Sequence, residues 1–188
     1  FNYSLALESS GREAFGNFVY GSYTGIVLSM FMIITSLTAL MGKSALPRIT
    51  AAFEGGKKED VKRNISILLS GIFVIGWPLC LSLGVLAEPV LSLLYPVRAA
   101  EVSVSVMPMT VLCAGGIPIA LCGGLFSVFQ AVGRFDLPIK LMMTGSAVKL
   151  ILNLLFLRIP YISVFGAALS TVVAHIIVMR LGIICLKK

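Results

Sequence analysis

Residues 137–157, LPIKLMMTGSAVKLILNLLFL, form an apolar stretch that is long enough to cross a bilayer as one helix. Lys149 lies near the middle of this stretch, where a cation costs about 2.5–3.5 kcal/mol on insertion scales. At helical spacing, one face of the helix carries Gly145, Ser146, Lys149 and Asn153. Because the cost of the cation must be offset, we predict that this polar stripe faces protein or water, while the opposite apolar face meets lipid.

The rest of the chain has the same apolar character. Of its 188 residues, 58% are hydrophobic and only 12% are charged, about half of the charged fraction that is usual in soluble domains. The composition predicts an all-α, polytopic membrane helix bundle in a single membrane domain that covers residues 1–188. The five predicted spans are residues 14–41, 65–87, 102–130, 137–157 and 165–186.

The loops predict the orientation of these spans. With five spans, one side of the membrane receives ten Lys and Arg residues, against three on the other side. The positive-inside rule makes the first side cytoplasmic, and it explains the net charge of +7 without a nucleic-acid partner. Within the loop of residues 42–64, we expect a short amphipathic segment in the membrane interface. The ten basic residues are Lys43, Arg48, Lys57, Lys58, Lys62, Arg63, Arg134, Lys140, Lys187 and Lys188, and the three are Arg12, Arg98 and Arg158.

The third span contains the strongest helix-breaking signals in the chain. Gly115, Gly116 and Pro118 lie near its middle, and a proline inside a helix removes one backbone hydrogen bond. We predict a bend there. The sequence leaves open whether this bend is a static kink or a hinge.

Several kinds of chemistry are missing from the sequence. It has no phosphate-cradling glycine-rich loop, no cluster of His and Cys with metal-ligand spacing, and no Ser/His/Asp set, so we expect no catalytic residue, metal or cofactor. All eight carboxylates fall in loops or at span ends, whereas an exporter of cationic drugs would be expected to need one inside the membrane. Lys149 instead suits an anion such as a diphosphate, although a purely structural role is the alternative.

Two further features concern packing. The four cysteines lie inside apolar blocks and are interpreted as small buried hydrophobic residues. The last span has small residues for close helix packing, followed by His175, which we expect to form a hydrogen bond with a neighbour and not to relay protons.

Four segments resemble a known superfamily in their order and spacing. They are SALPRITAAFEGGKKEDVKRNI, LAEPVLSLLYP, FSVFQAVGRFDLPIKLMMTGSAVKLILNLLFL and FGAALSTVVA. Together they resemble the multidrug/oligosaccharidyl-lipid/polysaccharide (MOP) exporter superfamily. The most similar branch is the stage V sporulation protein B group, which is related to the MurJ and Wzx-type flippases.

The resemblance implies one lobe of a two-lobed, fourteen-helix transporter in the bacterial cytoplasmic membrane, with the remaining N-terminal lobe elsewhere in the same full-length chain. It implies that an anionic, lipid-linked saccharide is flipped across the bilayer by alternating access. A cation-coupled multidrug antiporter of the same superfamily is the alternative. Lys149 and Asn153 match helix positions of the superfamily that often carry Lys and Asn, and we expect Lys149, Asn153, Ser146 and Gln130 to bind substrate.

Overall fold

The computed structural model describes residues 11, 14–157 and 163–186, and all of the regular elements among them are helices. Four helices are long and apolar enough to cross a membrane, and a bent pair supplies a fifth span, so the chain is an all-α membrane helix bundle. The helices are α1 (Ala14–Glu54), α2 (Lys58–Val85), α3 (Ala87–Leu94), α4 (Ala99–Ala114), α5 (Gly116–Ala131), α6 (Asp136–Leu157) and α7 (Ser163–Leu186).

The first helix is longer than the sequence predicts. α1 continues through Pro47 to Glu54 with one π-helical turn at Tyr23–Val27, so the expected interfacial segment is its last turns and not a separate element. A helix of 41 residues is about 60 Å long, roughly twice the thickness of the hydrocarbon core. Its basic end therefore projects beyond the apolar layer.

A tight turn connects α1 to α2. Gly56 has a φ of 65°, a left-handed conformation that favours glycine, and the backbone N–H of Lys57 donates to the carbonyl of Ala52 at 3.1 Å. Helix α2 then begins at Lys58, seven residues earlier than the predicted second span, and runs without interruption past Pro78. The next element is the short helix α3.

The predicted bend in the third span is present. Helices α4 and α5 meet at Gly115 with an angle of 52° between them. Close packing surrounds the break, because a Cβ atom on Gly115 would collide with Val172 of α7, and one on Gly116 would collide with Cys80 of α2. Glycine at both positions therefore lets the two neighbouring helices approach the bend.

Four apolar clusters hold the helices together, and the two largest lie toward opposite ends of the bundle. One includes Val27, Phe31 and Leu112, and the other includes Ile49 and Val128. Helix α5 lies centrally, since it packs against α1, α2 and α7, while α6 lies at the edge and packs mainly on α7. Cys80, Cys113 and Cys122 are buried and Cys185 is half-buried, all four as free thiols, which agrees with the packing role that we expected.

The basic loops lie at one end of the bundle. Lys58 at the start of α2, Arg134 in the α5–α6 loop and Leu186 at the end of α7 line the same cavity. The hydroxyl of Thr50 donates to the carbonyl of Ala131 at 3.1 Å and fastens the end of α1 to the end of α5. The structure thus confirms that these loops share one side. Arg12, Arg158, Lys187 and Lys188 of the loop count lie outside the described residues.

Candidate functional site

The polar stripe of α6 runs along the edge of its contact with α7, which we call the α6–α7 seam. A Cβ atom on Gly145 would lie 2.5 Å from Cγ2 of Val178, and one on Gly166 would lie 2.6 Å from Cβ of Phe156. A glycine on each helix, one near each end of the contact, therefore lets the two backbones approach closely. The side chains between these two points are held in a fixed register.

Asn153 forms the polar contact of the seam. The hydroxyl of Ser170 donates to Oδ1 of Asn153, and it also lies 2.9 Å from the carbonyl oxygen of Ala167. Ser170 is fully buried and Asn153 is half-buried, so this interhelical hydrogen bond is shielded on one side only. The amide group of Asn153 keeps its own N–H donors for another partner.

Lys149 lies one helical turn from Asn153, on the same edge of α6, and its side chain is half-buried. It lies about 20 Å along the helix from Asp136 and about 12 Å from Leu157, as the rise per residue requires. No carboxylate of the described residues pairs with it. The ring of His175 on α7 lies within electrostatic range of its ammonium group. The described part of the chain therefore presents a deep cation without a counter-charge.

His175 is itself hydrogen-bonded, as the sequence analysis expected. Its Nδ1 lies 2.7 Å from the carbonyl oxygen of Thr171, one turn earlier in α7. This bond assigns the proton to Nδ1, because only an N–H can donate to a carbonyl, and it leaves Nε2 as the acceptor. The side chain of Thr171 is also close to the buried hydroxyl of Tyr23, which belongs to the π-helical turn of α1.

The outer face of α6 is apolar, as predicted. Met143, Leu150, Ile151 and Leu154 are between 58% and 68% exposed, and a fully apolar exposed face suits lipid. Ser146 is also exposed, at the border between the seam and this face.

The structure brings together only some of the predicted site residues. Lys149 and Asn153 share the seam with Ser146 at its rim, whereas Gln130 is exposed at the last turn of α5, near the basic end of the bundle. Gly115, Gly116 and Pro118 lie at the α4–α5 break. Sequence reasoning did not predict Ser170 as the partner of Asn153. A hydroxyl among the small residues of the last span was the available signal, but it did not identify the facing helix.

The acidic groups lie where the sequence placed them. All six described carboxylates are at helix ends: Glu54, Glu59, Asp60, Glu88, Glu101 and Asp136. Glu8 and Glu13 lie outside the described residues. Asp136 begins α6, and its carboxylate accepts a hydrogen bond from Lys140 at 3.1 Å. Within the described residues, no carboxylate reaches the level of Lys149.

Comparison with known proteins decides the family. The family model described as lipid II flippase MurJ matches residues 14–188. The chain belongs to the MurJ lipid II flippase family. No curated relative matches this sequence.

Three solved transporter structures share the fold of this chain. An inward-facing multidrug resistance MATE family transporter of the MOP superfamily superposes with a TM-score of 0.76 at 19% identity, covering 89% of this chain and 37% of its own. A MOP superfamily transporter from Pyrococcus furiosus, whose binding pocket has reversed polarity, gives a TM-score of 0.74 at 19% identity. The superposition covers 97% of this chain and 41% of that transporter.

An outward-facing MATE family transporter also gives a TM-score of 0.74 at 19% identity, with 97% of this chain on 42% of its own. The chain therefore spans about two fifths of the length of these transporters. At this level of identity, the likeness establishes the fold of the bundle.

Proposed function

We propose that the complete protein flips a lipid-linked saccharide precursor across the bacterial cytoplasmic membrane by alternating access. The match of residues 14–188 to the MurJ lipid II flippase model carries this proposal. The described helices supply part of one lobe, and the remaining N-terminal lobe of the full-length chain completes the transport cavity. Stage V sporulation protein B-like export of a cell-wall or polysaccharide precursor is the more specific form of this proposal.

The substrate in this proposal is anionic, because the deep charge of the described helices is a cation. When a saccharide that is linked to a lipid through a diphosphate crosses the membrane, its negative charge must pass the level of Lys149. In a medium of low dielectric constant, an ammonium group attracts a diphosphate far more strongly than it does in water. Asn153 adds free amide N–H donors, and Ser146 adds an exposed hydroxyl at the rim of the seam.

Gln130 has a different part in the proposal. Since it is exposed at the cytoplasmic end of α5, it contacts the substrate when the transporter is open to the inside. The α4–α5 break, with Gly115, Gly116 and Pro118, is then the hinge of the lobe. A helix that is already broken changes its angle without losing further backbone hydrogen bonds. We assign no catalytic role and no cofactor to any of these residues.

A cation-coupled multidrug antiporter is the second candidate. Two of the similar solved structures are multidrug resistance transporters, which favours it at the level of fold. The position of the described carboxylates at helix ends favours the flippase, because a cationic drug needs a negative partner inside the membrane.

The experiment that separates the two candidates uses the full-length protein in proteoliposomes. One arm measures translocation of an undecaprenyl-diphosphate-linked saccharide with a fluorescent label, and the other measures efflux of ethidium driven by a proton or sodium gradient. We expect translocation of the lipid-linked saccharide and no gradient-driven efflux of ethidium. Efflux of ethidium without translocation of the saccharide would establish the antiporter instead.

A further inference from the structure

A second polar feature lies at the cytoplasmic end of the bundle, away from the α6–α7 seam. Helices α2 and α7 both pack on α5, and a cavity of about 1110 Å³ opens between the cytoplasmic ends of these helices. Its apolar wall includes Ile65 and Leu69 of α2, Phe129 of α5 and Leu186 of α7. We call it the cytoplasmic cavity.

Three cations line the cytoplasmic cavity. Lys58 and Lys62 lie in the first turns of α2, and Arg134 lies in the α5–α6 loop. Gly56 and Gly133 precede these segments with φ values of 65° and 75°, a conformation that other residues rarely adopt. The two turns therefore fix the backbone positions from which the cationic side chains extend.

The charge of this site is not neutralised by its own residues. Lys62 forms an exposed ion pair with Glu59 at 3.1 Å, which is a weak contact in water. Lys58 and Arg134 form no ion pair within the described ranges, and no carboxylate belongs to the lining of the cavity. Asp136 lies outside the lining, pairs with Lys140 and interacts electrostatically with Arg134, so the site has two cations without an ion pair of their own that can bind an anion.

Charge and apolar surface are arranged along the depth of the cavity. Lys58 lies at the cytoplasmic start of α2, whereas Ser70 lies twelve residues further on, which corresponds to about 18 Å along the helix. Ile65, Ser66 and Leu69 line the wall between them. A phospholipid has the same arrangement, with a phosphate at the interface and acyl chains below it.

We propose that the cytoplasmic cavity binds an anionic phospholipid of the inner leaflet, with phosphatidylglycerol as the representative species. The phosphate is held by Lys58 and Arg134, and one acyl chain lies along Ile65 and Leu69. Basic pockets between transmembrane helices on the cytoplasmic side are suited to such headgroups. This site is separate from Lys149, so it does not depend on the transported substrate.

The test measures lipid binding to the delipidated full-length protein by native mass spectrometry. The probes are phosphatidylglycerol and zwitterionic phosphatidylcholine with the same acyl chains. Each juxtamembrane cation contributes about five-fold to the affinity for an anionic lipid, so the double variant Lys58→Gln/Arg134→Gln should weaken phosphatidylglycerol binding roughly 30-fold. Phosphatidylcholine should bind weakly to both proteins.

The matched control removes two exposed cations from the same side of the membrane that do not line the cavity. Lys43→Gln/Arg63→Gln should change the affinity less than about three-fold, because general surface attraction alone is lost. Ser70→Trp leaves the charge unchanged and fills the apolar part of the cavity, so it should also displace the lipid. Thermal melting of each variant checks that the fold is intact.

Three outcomes would overturn this proposal. Equal losses in the two double variants would reduce the effect to general electrostatics. Unchanged binding of phosphatidylglycerol in Ser70→Trp would indicate a simple phosphate site. Displacement of phosphatidylglycerol by inorganic phosphate at the same concentration would indicate the same. Displacement of phosphatidylglycerol by an undecaprenyl-diphosphate saccharide at matched concentration would assign the cavity to the transported substrate.

Discussion

Lys149 is costly for folding and, in the proposed function, binds the transported substrate. Its position deep in a bilayer helix carries a penalty of several kcal/mol if it is left in lipid. The structure places it half-buried at the α6–α7 seam. The exposed apolar residues that suit lipid lie on the opposite face of α6. The neighbouring helix α7 shields part of the side chain from lipid and so lowers the penalty, and the other part of the side chain stays exposed.

Asn153 and Ser170 are expected to stabilise the seam as a pair. Interhelical hydrogen bonds in membranes contribute about 0.6 kcal/mol on average and up to about 1.7 kcal/mol. A double-mutant cycle with Asn153→Ala and Ser170→Ala, measured by unfolding of the full-length protein, should give a coupling energy in this range. Strictly additive effects of the two substitutions would show that the hydrogen bond contributes nothing to stability.

The residues of α6 illustrate what the sequence can and cannot predict. The stripe on α6 and its apolar opposite face follow from helical spacing alone, and the exposure of Met143 and Leu150 confirms the apolar face. The partner of Asn153 could not be predicted, because spacing determines the face of a helix but not which helix packs on it. Gln130 is predicted to bind substrate together with Lys149, Asn153 and Ser146, and the fold places it on another helix.

Among the elements, the α4–α5 break is the one whose position the sequence predicts most specifically. Its position was predicted from Gly115, Gly116 and Pro118, since a proline cannot donate to the preceding turn. Its packing was not, because the contacts of Gly115 with Val172 and of Gly116 with Cys80 are long-range. The same limit applies to α1, where the basic composition after residue 41 suggested a break that the tertiary packing of Ile49 overrides.

A hinge role of this break can be tested separately from its role in packing. Gly115→Ala should destabilise the protein by about 1–3 kcal/mol, because the added methyl group meets Val172. The second substitution Val172→Ala removes the two Cγ atoms nearest to the new methyl group and leaves the Cβ atom at 2.8 Å, so the double variant should regain part of the thermal stability. If Gly115 is a hinge, translocation in proteoliposomes should stay low in the double variant. Recovery of both stability and translocation would make the bend a static kink.

At the scale of the whole molecule, the distribution of charge determines the orientation. The bundle gathers the α1–α2 turn, the α5–α6 loop and the end of α7 at one end, in agreement with the loop count. The number of spans follows from the apolar lengths, but the arrangement around α5 does not, because long-range packing decides it.

Cysteine labelling tests this orientation in intact cells. In a Cys185→Ser background of the full-length protein, a membrane-impermeant maleimide should label Arg98→Cys and Ser163→Cys. Lys57→Cys and Arg134→Cys should react only after the cells are opened, because we expect the basic side of the bundle to face the cytoplasm. Labelling of the Lys57 position from outside would overturn the five-span orientation.

The most direct test of the proposed function changes Lys149. It measures the rate at which the complete protein translocates an undecaprenyl-diphosphate saccharide. Lys149→Met keeps the length and apolar bulk and removes the charge, and a hydrogen bond to a charged group contributes about 1.5–3 kcal/mol. We predict a loss of roughly tenfold or more, up to complete loss, with a normal membrane level. Lys149→Arg should retain part of the rate, and the exposed control Leu150→Met should retain all of it. A full rate in Lys149→Met would contradict the assignment of this seam to substrate binding.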